Sequence, residues 1–460
     1  MGLDLLIKDG TLVTPDGLVE ANLLVEDGRI VGRVSNRETR AAEEVVDASD
    51  RLLLPGIVDP HVHFEGPNSI DTYRSGTEAA ALGGVTSVVN FAWQAWEGSD
   101  TPWSGAGTLR EAVDRQREAA ASSLVDVALH GTITRERPEV LDELEGLVED
   151  GVVSFKIFTT YDFGLRNGFI ERIFEKLSEL DAVAVLHTED DDVCTAREDE
   201  MRRSGRGDPV SYPESRPTHA EAMAADDAVR LALQSGVKYY GIHTSCAEAA
   251  DVIEAAQTDN SRIRGETCVH YTTLTEAAHA DQGNLPMIAP PLRSEADVDS
   301  IFEHLRGGTL DVVSTDHVAY KSDSKQVENW WDGEYGANSV QRSLPVFHDE
   351  AVLKRGLSYP ALVRLMSTNP ARIFGLTNKG TLEVGTDADI VVFDPNATWT
   401  VTSEDNASKA DFSIYEGREL TGRVERTYLR GTCIAADGET TVQPGYGRAI
   451  TRERPDWDAF

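Results

Sequence analysis

The stretch LLLPGIVDPHVHFEGP, residues 52–67, decides how this chain is read. A short apolar run ends in His61-x-His63, in a protein that has only 11 histidines among 460 residues. Residues two apart on a strand share a face, so both imidazoles would project together from the end of the run. Two neutral imidazoles held that way can grip one metal ion. Alone the pair is weak evidence, since buried histidines often serve packing.

Outward from this point, eight short runs, most of them β-branched, alternate with helical patterns. The runs include VTSVVNF (85–91), VVSFKIF (152–158), AVAVLH (182–187) and LDVVSTDH (310–317), and the helical segments include GFIERIFEKLSELD (168–181). Buried parallel strands read this way, and eight of them with helices between predict an α/β fold, a (β/α)8 TIM barrel over residues 56–375. Residues 1–55 and 376–460 instead carry short alternating strands broken by Asp-Gly turns. Each flank is too short for its own core, so the two are expected to form one small β-sandwich domain.

Ligand-type residues recur where the other runs end: Lys156, His187, His243 and Asp316. In such a barrel, polar residues at the C-terminal strand ends point to chemistry rather than stability. A lysine ammonium has no lone pair for a metal. A buried lysine of depressed pKa is a nucleophilic amine, however, and carbon dioxide would convert it to a carbamate able to bridge two ions. Two dications offset by a carbamate, Asp316 and a hydroxide leave a charge near +1, which a cleft tolerates.

The bulk composition narrows the partners. Acidic residues outnumber basic ones 79 to 43, giving a formal net charge of −36, and only nine of the basic residues are lysine. Such a surface repels phosphates and anionic lipids, so neither nucleic acid nor membrane is an expected partner. It is similar to the surfaces of proteins from salt-rich cytoplasm, where ionic strength screens self-repulsion. Four scattered cysteines without a C-x-x-C pair and the lack of a leader-like N-terminus predict a cytoplasmic protein with reduced thiols.

In the order His-x-His, Lys, His, His, Asp, these residues resemble the ligand set of the cyclic amidohydrolases, in the dihydropyrimidinase/hydantoinase branch. The resemblance spans nearly the whole chain, through GTEAAALGGVTSV (76–88), GVVSFKIFTTY (151–161), APPLR (289–293), TNPARIFGL (368–376), KGTLEVGTDADIVVFDP (379–395) and PGYGR (444–448). It implies two divalent metal ions, zinc first among candidates, although the donors suit manganese and cobalt as well. His61, His63, Asp316 and a carbamylated Lys156 would hold one ion, and Lys156, His187 and His243 the other. A metal-bridging hydroxide would attack the cyclic amide of a dihydropyrimidine or hydantoin. Asp316 would act as base and then acid, and Tyr161 would donate to the oxyanion. Ala289 and Asn338 match positions that contact substrate. The resemblance also implies a homotetramer.

Three departures bear on the substrate. Glu65 stands where dihydroorotases carry a carboxylate-binding arginine, which argues against dihydroorotate. Ala289 replaces a serine common before Pro-Pro-Leu-Arg, leaving only backbone to contact a ring. Ala319 replaces a proline. The loop FAWQAWEGSDTPWSG (91–105), with Trp93, Trp96 and Trp103, would floor a substrate pocket or serve an interface. Allantoinase, a dihydroorotase-like ureide hydrolase and a non-catalytic scaffold are the alternatives.

Overall fold

The computed structural model describes residues 2–38, 40–96, 107–258 and 260–458. The eight β-branched runs form β1 (Ile57–Val62), β2 (Val85–Trp93), β3 (Asp126–Thr132), β4 (Ser154–Phe158), β5 (Val183–His187), β6 (Lys238–Gly241), β7 (Ile263–Cys268) and β8 (Leu310–Ser314). They pair in parallel, in sequence order. The ring closes where Val62 bridges to His317 and the His63 N–H donates to the His317 carbonyl at 2.9 Å. The result is the expected (β/α)8 barrel. Almost every strand residue is buried, as strands covered on both faces require.

The helices follow their sequence periods. In Asn167–Glu179, Phe169, Ile170, Ile173, Phe174 and Leu177 fall on one buried stripe. Leu109–Ala119 opens on a reciprocal cap: Thr108 Oγ1 accepts from the Glu111 N–H at 3.1 Å, and the Glu111 carboxylate accepts from the Thr108 N–H at 2.9 Å. Gly83 closes helix Tyr73–Leu82, and Gly84, at φ 85°, turns the chain into β2.

Both chain ends interleave outside the barrel. Leu52–Pro55, just before β1, pairs antiparallel with Ile390–Thr400 in a seven-stranded sheet built from N- and C-terminal strands. A four-stranded sheet from residues 3–47 packs its Leu5, Ile7, Leu23 and Val25 with Leu53, Ile390, Val392 and Tyr428. Farther on, residues 448–457 run across the N-terminal ends of the barrel strands. The Val127 N–H donates to the Arg448 carbonyl at 2.8 Å there, and the Trp457 indole N–H donates to the Ile373 carbonyl at 3.0 Å.

Candidate metal centre and substrate cavity

The barrel places the candidate ligands at its C-terminal mouth with one local adjustment. The regular strands β6 and β8 stop two residues before His243 and Asp316, which take left-handed backbone at φ 40° and 42°. Tyr161, three residues past β4, does the same at φ 73°. Three side-chain-bearing residues in that sparsely populated region around one cavity is the kind of strain that functional sites retain. Lys156 lies in the middle of β4 rather than at its end.

His61 and His63 each bring Nε2 to 3.1 Å from the same atom, Asp316 Oδ1. The other ring nitrogen of His61 lies 2.7 Å from Glu266 Oε1, and Glu266 is fully buried on β7. Glu266 also accepts from the Tyr240 hydroxyl at 2.9 Å and the His243 N–H at 3.2 Å. With Nδ1–H committed to Glu266, a neutral His61 turns an Nε2 lone pair toward a carboxylate oxygen. That contact is stable only with a cation between them, either a proton or a metal ion. Burial alone would lower the pKa of His61, but the Asp316 and Glu266 charges lift it to about 9. The same Asp316 oxygen, His61 and His63 form a group able to hold a metal ion. A carboxylate behind a histidine ligand is the outer support such sites use.

The second group faces it across the mouth. The His61 and His243 rings are 5.5 Å apart, and those of His187 and His243 are 4.4 Å apart. His187 Nε2 lies 2.8 Å from Glu189 Oε2, which is held in turn by Arg216 at 2.6 Å. That leaves His187 Nδ1 as the free donor. Burial pushes the pKa of His63 and His187 down to about 4, and that of His243 well below its ordinary value, so all three offer lone pairs at neutral pH. Lys156 is buried, with Nζ 4.4 Å from the Phe158 ring centroid. Burial draws its pKa down to about 7. Among the described residues it has no carboxylate at salt-bridge distance. Four imidazoles, one carboxylate and one uncompensated amine fit a divalent metal centre.

His61, His63, Lys156, Tyr161, His187, His243, Ala289 and Asp316 all line one cavity of about 310 Å3. Its wall is aromatic: Trp93, Trp96, Phe158, Tyr161 and Phe163 pack ring to ring, with centroids such as Trp93–Phe158 at 5.3 Å and Trp96–Phe163 at 4.8 Å. Trp103 lies outside the described residues. Arg216 stacks over the Tyr161 ring at 5.0 Å. Burial raises the pKa of Tyr161, so its hydroxyl remains a donor. Asn338 is not on the cavity wall; its amide nitrogen donates to the Phe412 carbonyl at 2.8 Å. Glu65 does not line the cavity either, and among the described lining residues there is no arginine.

The sequence pattern missed the groups behind the ligands. Glu266 is an acid inside the buried run RGETCV, and Glu189 follows His187 at strand spacing, on the same face. Those two features were the available signals. Nothing local marks Arg216. His317 is a structural link: its Nε2 meets Asp71 Oδ2 at 3.0 Å while Nδ1 accepts from the Val340 N–H at 3.2 Å. His270 is fully buried with both ring nitrogens unpartnered.

Comparison with known proteins agrees with this geometry. The amidohydrolase family model matches residues 52–432. A D-hydantoinase of Streptomyces coelicolor is 32% identical over 470 residues, covering 97% of each chain. An allantoinase of Salmonella choleraesuis is 32% identical, covering 94% of this chain and 95% of its own. The crystal structure of a dihydropyrimidinase from Brevibacillus agri superposes with a TM-score of 0.93 at 29% identity, over 98% of this chain and 99% of that one. The chain belongs to the amidohydrolase family and, within it, to the hydantoinase branch of cyclic amide hydrolases.

Proposed function

We propose that the protein opens the ring of dihydropyrimidines or hydantoins with the help of two divalent ions, zinc foremost. His61, His63 and Asp316 would hold one ion and His187 and His243 the other, with Lys156, carbamylated by carbon dioxide, joining both. Bound there, such ions supply a water of near-neutral pKa and polarise the scissile carbonyl. Asp316 would take the attacking water's proton and return it to the departing ring nitrogen. Tyr161 would donate its hydroxyl to the carbonyl oxygen as charge develops there. Ala289 has only backbone groups to offer the ring, and Asn338, off the cavity wall with its side-chain nitrogen on Phe412, is assigned no contact with it.

The observation that carries this reading is the convergence of His61 and His63 on one Asp316 oxygen, beside an uncompensated Lys156, in an aromatic cavity. The similarity to allantoinases keeps allantoin as the second reading. The test is ring opening by metal-reconstituted protein in concentrated potassium chloride, with dihydrouracil, hydantoin, allantoin and dihydroorotate. Turnover of dihydrouracil or hydantoin, abolished by a chelator, is expected. Turnover of allantoin alone moves the assignment to the second reading, and turnover of none with metal bound overturns it.

The reading includes a homotetramer, which rests on the family resemblance alone, and a salt-rich cytoplasm, which the acid excess supports. Sedimentation at low and high potassium chloride tests both. No described helix is long and apolar enough to cross a membrane.

A further inference from the structure

Part of the cavity wall comes from two segments distant in sequence, Ile288–Ala289 and Glu334–Gly336. Lys325 contributes nothing to the cavity surface, yet its fully buried ammonium sits where these two segments meet. It donates to the Met287 carbonyl at 2.8 Å, the Gly336 carbonyl at 2.7 Å and the Glu334 carbonyl at 3.1 Å. Three protons meet three carbonyls, so the donor capacity is used in full. The Gly336 N–H adds a 2.9 Å bond to the same Met287 carbonyl.

A cation so placed is expensive. Burial draws its pKa down to about 7, against the pull of the Glu334 carboxylate, and among the described residues no carboxylate pairs with it. Packing alone would be met as well by an apolar side chain of similar volume. The position holds instead a cation whose partners are the carbonyls of Glu334 and Gly336, two cavity-lining residues, and of Met287, the neighbour of the lining residue Ile288.

We propose that Lys325 is a positioning residue for substrate selection, which ties residues 287–289 to residues 334–336 and thereby sets where their backbone groups meet the substrate ring. The proposal rests on the cyclic-amide reading for its substrate readout only. Lys325 touches none of the candidate metal ligands, so it acts on binding and not on the metal centre.

The test uses metal-reconstituted Lys325→Met with hydantoin and dihydrouracil. KM is expected to rise by about tenfold, since small misplacements of substrate-positioning groups are costly, while kcat stays within about threefold. Bound metal should be unchanged, and amide hydrogen exchange should quicken in residues 286–290 and 333–337 and not elsewhere. Tyr212→Phe removes a second tie on the same segment, the 2.6 Å bond from the Tyr212 hydroxyl to the Ile288 carbonyl. For it a KM rise of about fivefold is expected, the worth of one hydrogen bond. Unchanged KM with unchanged local exchange overturns the proposal. So does a joint fall in kcat, metal content and global stability, which would mark a purely structural role. If the wild type opens no cyclic amide, the functional reading falls and the exchange pattern alone decides on Lys325. If Lys325→Met does not fold, Tyr212→Phe decides by the same two readouts.

Discussion

Both ends of the barrel bury lysine, and the two lysines are treated in opposite ways. At the floor, Lys379 Nζ meets three carboxylates, Asp126 at 2.7 Å, Asp389 at 2.8 Å and Asp387 at 2.9 Å, and Arg430 also pairs with Asp126. Burial there would lower the lysine pKa, but the three carboxylates raise it above its ordinary value. At the mouth, Lys156 meets aromatic rings and, among the described residues, no carboxylate at salt-bridge distance, and burial outweighs the more distant Asp316 and Glu266 charges. The difference separates structure from chemistry. A buried charge that joins barrel to sandwich is compensated by the protein itself, whereas on the proposed reading the one at the mouth is left for carbon dioxide and metal to compensate.

That contrast can be broken by substitution. Lys156→Ala should lower turnover by roughly 10^3-fold or more, beyond the 10–100-fold typical of losing an outer support to a metal. Its unfolding free energy should hardly change, because an uncompensated ammonium has been removed, and short carboxylic acids should restore part of the rate. Undiminished turnover would sink the carbamate assignment.

Lys379→Met should do the reverse. Three carboxylates are left facing one another, so urea unfolding should show a loss of about 3–5 kcal/mol, while turnover per folded molecule is kept. A loss below about 1 kcal/mol, the size of an exposed pair, would erase the distinction between floor and mouth.

A smaller effect sharpens the comparison at the rim. Burial would raise the pKa of Asp71, but His317, Ser408 Oγ and the Lys409 N–H bring it down to about 2. Its folded pKa lies below the unfolded value near 4, so its stabilisation is complete above pH 4 and fades as the pH falls through 2. Asp71→Asn should therefore lose about 2 kcal/mol at neutral pH, with the gap to wild type closing in acid. A pH-independent gap would mean that Asp71 acts by packing alone.

Much of this molecule was legible before its structure. Strand order in the barrel follows from eight β-branched runs because parallel strands covered on both faces must be apolar throughout. His61, His63, Lys156, His187, His243 and Asp316 stood out because chemistry-bearing residues recur toward the C-terminal ends of the runs, although Lys156 proves to lie in mid-strand. Other features were hidden for a physical reason. His61 and Glu266 are 205 residues apart, and Asp71 and His317 are 246 apart, so no local pattern relates them. Asn338 matched a substrate-contacting position by motif, yet its side-chain nitrogen is engaged with Phe412, 74 residues on. Nothing in YKSDSKQ marks Lys325, and only folding brings three carbonyls to it.

By itself, then, the sequence determined the barrel, the interleaved flanks and the ligand types, because periodicity and residue chemistry act over a few neighbours. Only the tertiary structure decided which nitrogen of His61 faces the site, which buried charges are compensated and which segments line the cavity. Those are set by contacts between distant segments in a low-dielectric interior, where a few tenths of an ångström separate a ligand from a structural hydrogen bond.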